Sequence, residues 1–119
     1  MALDIFILGA ARPAVGENPA ALQKIGHATT VIDWQLDSFT GLEYEKINFL
    51  GGYHIDDIIH HCPQINYVLI KDWQNKTVLN TLLQAPLAGK SSLITYADTI
   101  FRQHVIKELA ASEADLSIA

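Results

Sequence analysis

The apolar run Ile5-Phe6-Ile7-Leu8 breaks at once into the small residues Gly9-Ala10-Ala11 and a loop holding Arg12, Pro13, Gly16 and Pro19. A run this short and this apolar is a strand buried on both faces, and a small-residue turn at its end is how open α/β sheets begin a ligand crevice. Three more strand-like runs follow: Lys46–Leu50 (KINFL), Asn66–Ile70 (NYVLI) and Ser91–Tyr96 (SSLITY). Helix-patterned stretches separate them. Strands alternating with helices require crossover connections. The expectation is therefore an α/β fold, a three-layer sandwich with a mostly parallel sheet and right-handed crossovers.

The intervening segments can be placed by their local chemistry. Residues 3–8 form the first strand, 9–21 are loop, and 22–26 (LQKIG) read as a brief extended piece. A helix is expected over about 29–39, capped by Thr29 or Thr30. Its helical spacing runs through Val31, Ile32, Gln35, Leu36 and Phe39, and Gly41 ends it. His54–His61 reads as a short helix with Ile55, Ile58 and Ile59 on one face, stopped by Pro63. Helices are also expected over Thr77–Ala85 and over Thr99–Ala111, the latter with Ile100, Phe101, Val105, Ile106 and Leu109 in register. Ala114–Ala119 (ADLSIA) reads as a fifth strand beginning, so the chain is expected to be the N-terminal part of a longer domain, with an exposed strand edge that favours self-association.

Composition narrows the functional classes. Half the residues are apolar and 18% are charged, the balance of a globular chain. The net charge of −5 argues against nucleic acid or an anionic membrane as partner. No apolar run approaches membrane-spanning length and no basic leader precedes the first strand, which points to the cytoplasm. The single cysteine, Cys62, excludes an internal disulfide and reads as a small buried residue at a helix end. His60 and His61 are adjacent, so on a helix they point about 100° apart and do not share a metal. With His54 they read as exposed helix-terminal residues, and Trp34 and Trp73 as packing residues.

Several segments, taken in order, resemble the sugar-phosphate nucleotidylyltransferase superfamily of MobA-like NTP transferases, especially its choline-phosphate cytidylyltransferase-like branch. That family's first strand leads into Leu-Ala-Ala-Gly-x-Gly-x-Arg and then Pro-Lys-x-Leu. This chain has Leu8-Gly9-Ala10-Ala11-Arg12-Pro13-Ala14-Val15, then Pro19-Ala20-Ala21-Leu22. Leu50-Gly51-Gly52-Tyr53 is similar to the family's Val-Thr-Gly-Tyr. Asp72-Trp73, Thr77 and Asn80-Thr81-Leu82 are similar to its Asn-x-x-Trp…Thr-Asn-Ser-Leu region, and Tyr96–Phe101 to the segment carrying a metal-binding Asp. The resemblance covers nearly the whole chain and implies the nucleotide-binding half of a nucleotidyltransferase fold.

It also implies an activity: transfer of a nucleotidyl group from an NTP to a phosphorylated small molecule, with Mg²⁺. Carried over residue by residue, Leu8, Gly9, Ala10, Ala11, Arg12, Gly52, Tyr53, Asn80 and Thr81 would bind nucleotide, and Asp98 would bind metal. Backbone N–H groups of such a loop approach the triphosphate, Arg and Lys neutralise its charge, and Asp holds Mg²⁺. At the family's two loop glycines stand Ala11 and Pro13, at its Arg stands Val15 and at its Lys stands Ala20. Catalysis is therefore expected to be impaired, while a nucleotide or nucleotide-sugar can still be bound.

Each site residue also has a structural reading. Asp98 can cap a helix starting at Thr99, Gly52-Tyr53 can be a plain βα turn, Asn80 and Thr81 a polar helix face, and Arg12 a solvated loop residue. Two rival functions follow: a non-catalytic scaffold or regulatory domain of a larger protein, or a nucleotide-sugar glycosyltransferase-like domain. The latter would be favoured by a second carboxylate two residues from Asp98, where Tyr96 and Ile100 stand.

Overall fold

A computed structural model of the chain describes residues 3–13, 16–26, 28–75, 80–81 and 91–111. The chain opens with strand β1 (Leu3–Gly9) and a 3₁₀ turn at Ala20–Leu22. A small antiparallel ribbon of β2 (Lys24–Ile25) and β3 (Thr29–Thr30) leads into helix α1 (Val31–Ser38). Then come β4 (Lys46–Gly51), α2 (Ile55–His61), β5 (Asn66–Leu69), a 3₁₀ turn at Trp73–Asn75, β6 (Ser91–Tyr96) and α3 (Gln103–Ala111).

The sheet is parallel, in the order β5-β4-β1-β6. β1 is central: Ile5 lies between Ile47 and Leu93, and Leu8 between Leu50 and Tyr96. Its neighbours on both sides and the layers above and below explain why β1 reads as an unbroken apolar run rather than an alternating one. Ile5, Ile7, Ile47, Phe49 and Leu93 face α1, α2 and α3, which contribute Ile32, Ile58 and Ile106 to one core, with Phe39 and Cys62 just beyond the ends of α1 and α2. Phe6, Leu8, Leu50 and Ile70 form a second core on the opposite face, with Ala10, Val68 and Trp73. Each fully buried Phe, Ile or Leu contributes about 1.5–3 kcal/mol, so two-sided burial of β1 is the main reason the sheet holds. The expected α/β class, a parallel sheet covered on both faces in three layers, is what the chain adopts.

The helix ends follow their local chemistry. Thr30 caps α1: the Asp33 N–H donates to the Thr30 hydroxyl oxygen at 3.3 Å, and the Thr30 N–H donates back to the Asp33 carboxylate at 3.5 Å. Gly41 takes a positive φ of 92° where the chain leaves α1. The hydroxyl of Tyr67 on β5 donates to the Cys62 carbonyl and lies 3.3 Å from that of Ile58, so the end of α2 is held from the sheet.

Two helices differ from the sequence expectation. In α2 the inward spacing is Ile55, Ile58 and Cys62, which leaves Ile59 exposed. α3 begins at Gln103, not at Thr99, and Ile100 is exposed. The first carbonyl to accept within α3 is that of Arg102, from Val105 and Ile106. The Thr99 and Phe101 carbonyls are already committed to side chains of α1. Asp98 is therefore not the cap of α3. Of the helix expected over residues 77–85, the described Asn80 and Thr81 are helical, and the expected fifth strand at 114–119 lies outside the described residues.

Candidate functional site

The order β5-β4-β1-β6 contains a reversal. From β1 the chain moves outward to β4 and β5, then returns to the other side of β1 as β6. At such a switch point the connections leave in opposite directions, and a crevice opens beyond the carboxyl ends of the two strands. Two short segments meet there: Gly9-Ala10-Ala11-Arg12 after β1 and Ala97-Asp98-Thr99 after β6. They are joined by the Ala97 N–H, which donates to the Leu8 carbonyl at 2.9 Å.

The close approach of these strands requires glycine at position 9. A Cβ there would stand 2.5 Å from Phe49 Cζ and 2.7 Å from Ala97 Cβ. Gly52 meets a similar limit, since its Cβ would lie 2.5 Å from the indole of Trp73. The space in front of both glycines is thus filled by the protein's own side chains. Leu8 and Ala10 are buried in the second core, whereas Ala11 and Arg12 are exposed.

Tyr53 ties the second βα turn to the first. Its N–H donates to the Ala10 carbonyl at 2.9 Å, and its hydroxyl to the Glu17 carbonyl at 2.6 Å. Its ring stacks on His54 at 4.1 Å, meets Trp73 edge-on at 5.4 Å and has the Arg12 guanidinium 5.9 Å from its centroid. His54 occupies the left-handed region at φ 49°, uncommon for a residue with a Cβ, and its imidazole lies 3.2 Å from Asp57. Arg12, Tyr53, His54 and Trp73 therefore form one packed cluster beside the crevice.

Asp98 is exposed at the β6 end, and the Thr99 hydroxyl donates to its carboxylate at 3.0 Å. Its turn is held from α1. The Gln35 amide donates to the Tyr96 carbonyl at 2.7 Å and the Thr99 carbonyl at 2.6 Å. Among the described residues no group of three or more His, Cys, Asp or Glu side chains is placed to hold a metal. Mg²⁺ is commonly held by one or two carboxylates with water and substrate phosphate, so the single carboxylate of Asp98 fits that mode and not an all-protein cage. Asn80 is exposed and Thr81 buried.

A polar cluster that sequence reasoning missed joins α1 to α2. The His61 Nε2 lies 3.1 and 3.2 Å from the two Asp33 carboxylate oxygens, and the Thr30 hydroxyl donates to the same carboxylate at 2.8 Å. Burial pushes Asp33 upward, but the Thr30 hydroxyl, His61 and the Thr30 N–H outweigh it and hold its carboxyl below the ordinary value of 3.8. Thr30-x-x-Asp33 is a capping pattern visible in the chain, whereas His61 lies 28 residues from Asp33 and leaves no local signal. A helix N-terminus is otherwise a natural phosphate site; here α1 already presents its own carboxylate. Cys62 is buried, and burial, with the Asp33 charge, pushes its thiol up.

Among the described residues no helix is long and apolar enough to cross a membrane. No protein-family model matches the chain, and no curated protein matches it in sequence at a significant level.

Proposed function

We propose that this chain is a nucleotide-binding domain of the nucleotidyltransferase type, cytoplasmic, whose transfer chemistry is weakened. One observation carries the reading: the small-residue turn at Gly9–Arg12 and the turn bearing Asp98 stand together at the switch point of a parallel sheet. In nucleotidyl transfer a phosphate oxygen of the acceptor attacks the α-phosphorus of an NTP, and pyrophosphate leaves. The loop after β1 would offer backbone N–H groups and the Arg12 guanidinium to the phosphates. Asp98 would hold Mg²⁺, which neutralises charge on the phosphate oxygens when bound. Pro13 has no N–H to give, and Val15 and Ala20 carry no charge. Removing one aimed donor costs roughly 3 kcal/mol, about a hundredfold in rate, so a chain lacking several retains little turnover. Binding is less demanding, and a nucleotide or nucleotide-sugar is the ligand class that this reading favours.

A scaffold or regulatory role is the second reading. It is favoured by the packed state of Tyr53, whose ring is engaged by His54, Trp73 and Arg12, and by the indole filling the space at Gly52. Thermal unfolding with each NTP, with and without Mg²⁺, separates the two. A ligand at a hundred times its dissociation constant stabilises the folded state by about 2.7 kcal/mol, which for a chain of this size raises the midpoint by about 10 °C. The expected result is a Mg²⁺-dependent rise with one nucleotide that Asp98→Ala removes. A cooperative transition that no nucleotide moves would refute nucleotide binding and leave the scaffold reading.

A further inference from the structure

α1 sends a row of polar side chains to one segment, the non-helical stretch between β6 and α3. The Gln35 amide takes the Tyr96 and Thr99 carbonyls, at 2.7 and 2.6 Å. The Ser38 hydroxyl lies 3.1 Å from the Phe101 carbonyl, and the Trp34 indole N–H donates to the same oxygen at 3.4 Å. The Gln103 amide returns the contact to the Thr40 carbonyl, just past α1. Gln35 and Ser38 are buried, so these bonds form away from competing water.

The two carbonyls that Gln35 holds lie on either side of Asp98 in sequence. The 96–97 and 99–100 peptides are thereby held on either side of the turn, and the Thr99 N–H, which donates to the Tyr96 carbonyl, closes it around Asp98. The Thr99 hydroxyl then restrains the carboxylate itself. Without the Gln35 bonds, the Thr99 carbonyl would be free to accept a helical bond, and α3 would extend toward Asp98, as the apolar spacing of Ile100 and Phe101 favours. A buried Gln with both donors engaged, and with no partner for its Oε1 among the described residues, is costly to bury for packing alone.

We infer that Gln35 is the positioning residue for Asp98, holding the β6–α3 turn out of the helix so that the carboxylate faces the crevice. The inference rests on the proposed role of Asp98 in metal and phosphate binding. Gln35→Met keeps the length of the side chain and removes both donors; Ser38→Ala, which touches only Phe101 in this segment, is the comparison. The Thr99 amide, bonded to the Tyr96 carbonyl at 3.2 Å, reports the turn by hydrogen exchange. In Gln35→Met it is expected to exchange about thirtyfold faster, relative to amides of β1 and β4, as two donated bonds are lost. Resonances of Thr99–Arg102 should move toward helical values.

Mn²⁺ alone, followed by its broadening of the Asp98 and Thr99 resonances, reads the function of the turn. Gln35→Met should weaken Mn²⁺ at Asp98 about tenfold, with Ser38→Ala close to wild type. Equal Mn²⁺ affinity in wild type and Gln35→Met would overturn the positioning role while leaving the metal reading intact. No Mn²⁺ broadening at Asp98 in the wild type would overturn the metal reading itself and this use of Gln35 with it. Should Gln35→Met fail to fold, the wild-type Gln35 side-chain amide protons decide: slow exchange is expected, and exchange as fast as that of a solvated glutamine would overturn the bracket.

Discussion

Gly9→Ala tests the packing at the switch point most directly. The added Cβ would lie 2.5 Å from Phe49 Cζ and 2.7 Å from Ala97 Cβ. Carbon atoms rest at about 3.5–4.0 Å, so roughly 1 Å of relief is needed in two directions at once. Phe49 is fully buried and Ala97 nearly so, and neither can swing into solvent. Overpacking of this kind costs about 1–3 kcal/mol. Gly9 does not have a positive φ, so alanine fits the backbone and recovers about 0.5–1 kcal/mol by restricting the unfolded chain. The net expectation is a loss of about 1–2 kcal/mol, read in urea as a lower midpoint at unchanged m-value, or about 4–8 °C in the thermal midpoint. In a Phe49→Leu background the nearer contact is gone while the 2.7 Å approach to Ala97 Cβ stays, so Gly9→Ala should cost less there without becoming neutral. Phe49→Leu carries its own cost, so the informative quantity is the coupling, expected at about 0.5–1 kcal/mol because the Ala97 contact remains. The same cost in both backgrounds, or a cost below about 0.3 kcal/mol in the wild type, would refute the packing argument. Position 9 would then need another reason for its glycine.

Other expectations follow from the α1–α2 junction. Because the folded Asp33 carboxyl lies below its ordinary value, it stabilises the fold above that value and the benefit is lost as pH falls through the folded value. Asp33→Asn should therefore cost about 0.5 kcal/mol at pH 7, a figure discounted for the exposure of the pair, and nothing near pH 2; urea midpoints at the two pH values check it. Tyr67→Phe removes the donor that closes the end of α2 and should cost about 1 kcal/mol. Burial pushes the Tyr67 hydroxyl well above the usual tyrosine range, so its stabilising effect is present below the ordinary phenol value and is lost as pH rises through the raised one. Spectrophotometric titration should find one tyrosine that ionises only as the protein unfolds. The Cys62 thiol, buried with its ionisation pushed up, should react with a disulfide reagent only at the rate of unfolding. Rapid labelling of the native protein would contradict that placement.

What the sequence determined by itself is local. The apolar runs at 5–8 and 46–50 mark the central strands, where burial on both faces demands near-uninterrupted hydrophobicity, and those at 66–70 and 91–96 mark the outer strands, which leave Leu69, Ile94 and Tyr96 exposed. Thr30 and Gly41 bound α1 because capping oxygen and positive φ are properties of single residues. Gln35 stands at a core spacing of α1 and can be seen to point inward. The carbonyls awaiting it, 61 and 64 residues away, cannot be seen from the chain. For the same reason periodicity alone sets the start of α3 too early: it continues back to Ile100, whereas the Thr99 and Phe101 carbonyls are taken by side chains of α1 and the helix begins at Gln103. Gly52 reads as a nucleotide contact or as a plain βα turn, and tertiary packing sets the Trp73 indole against it. His61 reads as a solvated helix end, and the meeting of α1 and α2 gives it Asp33. Periodicity, caps and turns act over a few residues and are written in the chain. Strand order, the filling of space in front of a glycine and the partner of a buried amide depend on which distant segments meet, and the folded packing alone decides them.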